Sequence, residues 1–439
     1  MALKSLAIVS LFLASPVLAQ VGHSAIAKWQ NGKTGAVSLT LDDGSINQFR
    51  VAAPIMDSLG LPATFFIITG EMPDSRYHGT FVGRPTQSII EEAATVPTNR
   101  DNLFERASAI GFVRLQGTLA FHTRAGSIYD ENHDLAQSCQ IIDDAYAKIR
   151  QGVFQPRAER STTANLNHVT WDELSELAKR GHEIASHTVT HPRLAVLDDA
   201  NLIYELERSR EEILTHLGFQ HTFSVECPYG TENERAVSFA LARYPLARNF
   251  MPDAFVEDID RASKKDPLES RKEYVRWQRG PLTSTPMSLM KSWVDTTAAH
   301  ENIWLVLVFH GVDGIGWQPR TSADLKEYFG YIKSKEDRVW VATFQDVAKY
   351  IRERAHATLE SYRYGNVISV VLRDDLKDIR YNLPLTLKTY VPANWPAVEV
   401  RQGDRATIVE ATPDKMLGYV TYQALPNAET ITLTPIGVK

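Results

Sequence analysis

The chain has 439 residues, is 44% apolar and 23% charged, and carries a formal net charge of -6 at pH 7. That length suggests two or three domains, and that apolar share is ample for packed cores, so a disordered or fibrous chain is excluded. Acids and bases are scattered with no long basic run, which argues against a nucleic-acid track and against a polybasic membrane patch.

Residues 1–19 have the form of a secretory signal: Lys4 gives a short basic start, Leu6 to Leu18 an apolar core, and Val17-Leu18-Ala19 a small-residue cleavage site. Cleavage near Gln20 would export the chain to the periplasm or outside the cell. The alternative is an uncleaved anchor, although the apolar stretch is shorter than the ~20 residues a spanning helix needs. No later segment is apolar enough to span, so no membrane span is expected after cleavage. Cys139 and Cys227 are the only two cysteines; in an oxidising compartment they could pair, or both could be free and buried.

Val37 to Leu41 predicts a strand ending on Asp42 and Asp43, followed by a helical pattern from Ile46 to Leu59 that stops at Gly60. Thr64 to Ile68 predicts the next strand. A long segment from about 71 to 167 then interrupts the pattern, with one predicted helix at Asp134–Arg150. It reads as an insertion, either a surface excursion or a wall of a cleft. Thr170-Trp171-Asp172-Glu173 has the form of a capping box opening a helix that stops at Gly181, and His182 to Ser186 returns as a strand. Further on come a helix near Asn201–Leu217, a strand near Phe223–Glu226, a strand at Ile303–Phe309, a helix at Ala323–Lys335, a strand at Val339–Ala342 and a helix at Phe344–Arg354. Such alternation calls for a mainly parallel sheet covered by helices. From about Ala357 the chain changes to short β-rich runs (Val367–Leu372, Leu383–Val391, Thr430–Leu433) broken by turn residues, predicting a small antiparallel β-sandwich.

Four strings carry the chemistry: Leu41-Asp42-Asp43-Gly44, His187-Thr188-Val189-Thr190-His191-Pro192, Cys227-Pro228-Tyr229-Gly230 and Val308-Phe309-His310. Each sits where a strand gives way to a loop, the end at which parallel α/β folds build sites. Consecutive aspartates on an extended strand end point to opposite sides, so one can bind a metal while the other stays free. His187 and His191, at i and i+4, converge on one ion if the chain turns helically between them, with Pro192 against a regular helix. One carboxylate and two imidazoles with an open position are the donor set of catalytic zinc. The inventory suits a metal-assisted hydrolase.

These strings resemble the polysaccharide deacetylase family, the NodB-homology domain of carbohydrate esterase family four. The first motif is matched by Thr40-Leu41-Asp42-Asp43-Gly44 and the second by His187-Thr188-Val189-Thr190-His191. The flanks Pro62 to Phe66 and Gly181 to Ser186 and the run from Trp304 to His310 extend the likeness over roughly residues 36–70 and 168–352. The resemblance implies a distorted, incomplete (β/α) barrel in a catalytic domain of residues 20–356, with 357–439 as a separate β domain. It implies Asp43, His187 and His191 as ligands of one divalent ion, zinc by donor set with cobalt or nickel as substitutes. It implies Asp42 as the general base that takes a proton from the attacking water, the Tyr229 N–H as a donor to the oxyanion, and His310 as the general acid.

Two departures stand out. Glu226 occupies the place of the arginine that supports the catalytic aspartate in the family, so that support comes from elsewhere or is absent. Arg248, Arg276 and Arg279 are the candidates, and pairing of one of them with Glu226 is favoured over an unpaired Glu226 that would raise the pKa of Asp42, because a buried unpaired carboxylate is costly. The family's fourth motif has no clear match, Asp253 and Trp277 being the nearest residues of the right type. The activity implied is removal of N-acetyl groups from an amino-sugar glycan of the chitin-oligomer or peptidoglycan type. The rivals are an O-acetyl esterase acting on xylan-like polymers, a non-catalytic glycan-binding protein that keeps the fold, and a hydrolase for small cyclic amides or formamides. The partner expected is an acetylated glycan or oligosaccharide; nothing in the sequence sets an oligomeric state.

Overall fold

The run Ile303–Phe309 is apolar on both faces, and the strands Gly35–Asp43 and Ala63–Ile67 are buried almost throughout, as a sheet covered on both faces requires. The computed structural model describes residues 20–113, 115–156, 169–230, 233–251 and 253–437; the signal-like stretch 1–19 and the end of the insertion at 157–167 lie outside the described residues. The chain divides into two compact units, one of Lys28–Arg352 with Lys377–Leu383, the other of the remaining described residues.

After β1 (Ser24–Ile26), which belongs to the smaller unit, the larger one is built on β2 (Gly35–Asp43), β3 (Ala63–Ile67), β4 (Glu183–Ser186), β5 (Ser224–Val225), β6 (Leu246–Ala247), β7 (Val256–Ile259), β8 (Tyr274–Arg279), β9 (Ile303–Phe309) and β10 (Val339–Val341). The strand order is β6-β5-β4-β3-β2-β9-β8-β7, with β10 against the start of β2. Neighbours whose register is defined run parallel. The sheet curls but its two end strands do not pair, which makes it a distorted, incomplete (β/α) barrel.

Side chains alternate across this sheet and so sort the site from the packing. Along β2, Val37, Leu39 and Leu41 enter the outer layer beneath the helices, while Ala36 joins an inner cluster with Phe66, Trp304, Val306, Val308 and Phe344. Ser38, Thr40 and Asp42 therefore share the inner side. Between strands, Ala53–Leu59 ends on Gly60 in the left-handed conformation, and Trp171–Lys179 opens on the capping box of Thr170 and Glu173. Strands β6 to β8 escape the sequence reading because they are short or carry charges: Arg276 and Gln278 on β8 point into the interior, where they are buried.

Among its described residues the insertion holds four helices, Thr86–Glu92, Leu103–Phe112, Thr118–Asp130 and Leu135–Arg150, around an apolar cluster that includes Ile110, Ile142 and Tyr146 and is joined by Val196. Only the last of these was legible, since much of the cluster is alanine, whose periodicity is faint. Cys139 lies in this cluster and Cys227 in another, and the two are not joined. In the smaller unit, two antiparallel sheets form from β1 with Leu385–Pro392, Leu417–Ala424 and Thr412–Asp414, and from Thr358–Tyr364, Val367–Arg373, Ile431–Ile436, Ala397–Gln402 and Arg405–Glu410. The three-residue β1 is too short to carry a sequence signal, and it is register with Thr389, Lys388 and Leu387 that makes it a strand. Among the described residues no helix is long and apolar enough to cross a membrane.

One buried acid in the barrel interior gives the fold a pH dependence. Glu183 accepts hydrogen bonds from the Thr64 hydroxyl (2.7 Å) and the Gln345 N–H (3.0 Å), yet burial outweighs them and pushes its carboxyl up to about 7 from 4.5. With the folded pKa above the unfolded one, the folded state holds the extra proton, so stability is greatest below about 4.5 and declines as pH rises to about 7. The wild type is therefore expected to lose melting temperature between pH 5 and 8 relative to Glu183→Gln, whose amide mimics the protonated acid. Melting curves that stay parallel across that range would assign the cost of burial to other groups.

Candidate functional site

The carboxyl ends of β2, β4, β5, β6 and β9 bring the chemical strings together. Asp42, buried on the inner side of β2, meets Arg248, which follows directly on β6. The guanidinium forks onto it: Nη1 donates to Oδ1 at 2.5 Å and Nη2 to Oδ2 at 2.7 Å. The same Nη2 lies 2.6 Å from Glu226 Oε1, and Nη1 also donates to the Thr40 hydroxyl at 3.1 Å. Arg248 is thus the cation that answers Glu226. Arg276 instead pairs with Asp258 at 2.7 Å, and Arg279 donates to backbone carbonyls.

Burial works against the charge of Asp42, but the Arg248 guanidinium, followed by the nearby imidazoles, overcomes it and holds the carboxyl well below the usual carboxylate range. Burial also pushes the Glu226 carboxyl up, with Arg248 pulling against it. One arginine so serves two acids, and Asp42 receives the better share through two hydrogen bonds.

Asp43, the next residue, turns away by a route the sequence reading missed. Its φ of 74° is left-handed, so the strand end is not extended there; the reversal aims its carboxylate at the histidine loop. Oδ1 lies 3.5 Å from His187 Nε2 and 3.4 Å from His191 Nε2, and the ligand atoms of the three residues all lie within 4.8 Å of one another. The two imidazoles do converge, but no helical turn joins them: Thr188 and His191 are both left-handed, with φ of 66° and 60°. Non-glycine residues in that region cost roughly 1–3 kcal/mol each.

What holds this loop is a set of groups outside the motifs. Glu205, on the helix Asp199–Leu217, accepts from the N–H groups of Val189 and Thr190 (both 2.8 Å) and from the Thr190 hydroxyl (2.7 Å). Ser186 Oγ accepts from Thr188 N–H at 3.2 Å, and Thr188 Oγ1 from His191 N–H at 3.1 Å. Gln48, in a π-turn of residues Gln48–Ala52, donates through Nε2 to the backbone oxygens of Asp42 and His310, stapling the ends of β2 and β9. Glu205 had a legible signal, an acid at a core-facing position between Leu202 and Leu206; Gln48 had none.

The donor set fits a divalent cation. His187 Nδ1 donates to the Glu226 carbonyl oxygen at 3.0 Å and so turns Nε2 toward Asp43. Burial works against a charge on this ring, but Asp43 and Asp42 overcome it and raise its pKa, and the proton on Nε2 is the one a bound cation would replace. Burial, then the charge of His187, pushes His191 down to about 3, so its ring is neutral. Asp42, Asp43 and Glu226 face a single guanidinium, a local excess of negative charge that favours a cation.

His310 follows directly on β9, with Nε2 3.5 Å from Asp42 Oδ2, and burial lowers its pKa. Tyr229 sits in the turn Pro228–Gly230 with a left-handed φ of 71°, its ring 4.7 Å from that of His191 and covered by the Arg193 guanidinium at 4.3 Å. Arg193 is in turn tied to the insertion, by Glu131 at 2.7 Å and by its N–H to His122 Nε2 at 3.2 Å. The insertion therefore anchors the residue that covers the Tyr229 ring. Asp253 does not join the site, since its carboxylate pairs with Arg352 at 2.9 Å, and Trp277 packs in the outer layer.

A family model for polysaccharide deacetylase matches residues 127–244. That stretch, about a quarter of the chain, is similar to the polysaccharide deacetylase family. It is similar to a gellan lyase from Bacillus sp, 28% identical over 266 residues, a match that takes in 54% of this chain and 11% of that protein. The chain thus spans about a tenth of the length of that curated relative. Among solved structures it is similar to a putative polysaccharide deacetylase from Mycobacterium smegmatis (15% identity, 76% of this chain and 96% of that one, TM-score 0.37). It is also similar to the Xyl-CE4 domain of a multidomain xylanase from the hindgut metagenome of Trinervitermes trinervoides (13%, 71% and 89%, 0.33) and to a family 4 carbohydrate esterase from Streptomyces lividans (14%, 70% and 91%, 0.32).

Replacing Arg248 by Met removes the cation and leaves Asp42 buried beside Glu226, two effects that both raise its pKa. In the metal-free protein, carbon-13 NMR of the Asp42 carboxyl is expected to show it ionised throughout the ordinary carboxylate range in the wild type and titrating at higher pH in Arg248→Met. An unmoved titration in a folded variant would mean that Arg248 does not set the charge of Asp42.

Proposed function

We propose that this chain is a metal-dependent hydrolase that removes N-acetyl groups from an amino-sugar glycan of the chitin-oligomer or peptidoglycan type and releases acetate. The observation that carries the reading is the meeting of the Asp43, His187 and His191 ligand atoms, within 4.8 Å of one another, with Asp42 and His310, 3.5 Å apart. Every group named lies in the larger unit. Asp43, His187 and His191 would hold a divalent ion, zinc by the donor set, which when bound would supply Lewis-acid polarisation of the amide carbonyl.

The remaining work falls to the chain. Asp42, ionised, takes a proton from the attacking water. The oxyanion that develops is met by the Tyr229 N–H, presented by a left-handed turn that fixes its direction. His310 must deliver a proton to the leaving nitrogen, yet its lowered pKa leaves it neutral at rest. The proton it delivers is then the one Asp42 has just removed from water, passed across the 3.5 Å between them. The C–N bond breaks as the nitrogen is protonated, giving a free amine and acetate.

Alanine at Asp43, His187 or His191 is expected to lower bound metal sharply, read by elemental analysis; metal content equal to wild type in all three would remove the ligand assignment. Asp42→Asn and His310→Ala are expected to keep metal and lose at least ~100-fold in acetate release. Release from N-acetylated but not O-acetylated oligosaccharides supports the amide reading, the reverse supports the xylan-type esterase, and release from neither in a metal-loaded protein points to a glycan-binding role.

A further inference from the structure

Beside His310 the loop Gly311–Arg320 folds back on itself. Gly311 N–H donates to the Trp317 oxygen at 2.8 Å and Arg320 N–H to the Gly311 oxygen at 3.0 Å. A side chain at Gly311 would come within 2.7 Å of the Ile315 oxygen, so only glycine permits the close approach. Arg320 is buried and donates to the carbonyls of Leu282, Thr283 and Thr285 at 2.9–3.0 Å, pinning this loop to its neighbour. The product of all this ordering is a tryptophan held outward: Trp317 is 51% exposed, with its ring 4.7 Å from that of His310. A rigid, half-exposed indole beside the proton donor offers an apolar face to a pyranose ring and loses no conformational freedom on binding.

A cation stands next to it. The Arg261 stem lies against Gly280, where a Cβ would meet Cδ at 2.4 Å. Its Nη2 reaches towards Gly230, 3.9 Å from where a Cβ would sit, and its guanidinium carbon is 5.7 Å from the Trp317 ring centroid. It therefore spans the mouth from the Tyr229 turn to the indole. Among the described residues Arg261 has no ion-pair partner, unlike Arg193, Arg248 and Arg276 around it. Its charge bears on both His310 and Glu226. A partly buried guanidinium left without a carboxylate at the rim of a catalytic cleft is a ready fork for one brought by the substrate.

We infer that Trp317 and Arg261 form a sugar-reading site for an acidic glycan, in which a pyranose stacks on the indole and a carboxylate on that sugar or its neighbour pairs with the guanidinium. The inference rests on the deacetylase reading and narrows it to polymers that carry both acetyl groups and acids. It is tested with two probes that differ only in charge, a chitin oligosaccharide and the same oligosaccharide oxidised to the carboxylate at C6. Calorimetry on the metal-loaded protein should give at least ~tenfold tighter binding of the oxidised probe, a preference that weakens with added salt. Arg261→Gln should bind both probes alike, and Trp317→Ala should weaken both. In turnover the same preference should appear in KM. Equal binding of the two probes by the wild type, or a preference that survives Arg261→Gln, overturns the inference whatever the turnover. A preserved binding preference without acetate release from either probe overturns deacetylation instead and leaves the acid-reading site standing.

Discussion

The buried bridge from Arg248 to Asp42 and Glu226 is the interaction on which the rest of the site depends. All three side chains are removed from water, and taking a charge out of water costs several kcal/mol even after relaxation. The fork onto Asp42 and the single contact to Glu226 offset part of that cost and leave a net negative charge. Adding Asp43 deepens it. A divalent cation beside the two histidines would restore balance, so the bridge and the proposed metal are parts of one electrostatic arrangement. The bridge also separates the roles of adjacent aspartates: Asp42 is committed inward to a guanidinium, and Asp43 is free to turn outward.

That turning is bought with backbone strain. Asp43, Thr188, His191 and Tyr229 all have positive φ, and all four lie at the site. Each conformation persists because something outside the motif holds it. Glu205 gathers the N–H groups of the histidine loop, Gln48 ties two strand ends, and Arg193 covers the Tyr229 ring while anchored in the insertion. The insertion thus does for the third string what the long helix does for the second.

The strand that carries Asp42, the capping box at Thr170 and the helices after β9 were legible because their periods and caps are local. Arg248 was legible only as one of three candidates, since which arginine reaches Glu226 is decided by where β6 lies in the sheet, and β6 is a strand of two residues. The convergence of His187 and His191 was readable from their spacing, but its cause was not, because left-handed Thr188 and His191 carry no residue-type signal. Gln48 and Trp317 acquire their places through loops that close over tens to hundreds of residues. The Glu226 departure, in contrast, was informative in the sequence: a missing cation at a position that needs one predicts a cation from another strand.

That last point is the centre of the account: the cation beside Asp42 is supplied from the end of β6 and not from position 226. Exchanging the two residues is the direct measurement. Arg248→Glu alone places a third acid beside Asp42, and its acetate release on an N-acetylated oligosaccharide should be nearly abolished. The double variant Glu226→Arg, Arg248→Glu restores one guanidinium and one carboxylate in swapped places, and should recover at least ~tenfold over the single variant, as expected when a buried charge regains its partner. A folded, metal-loaded double variant as inactive as Arg248→Glu would contradict the account.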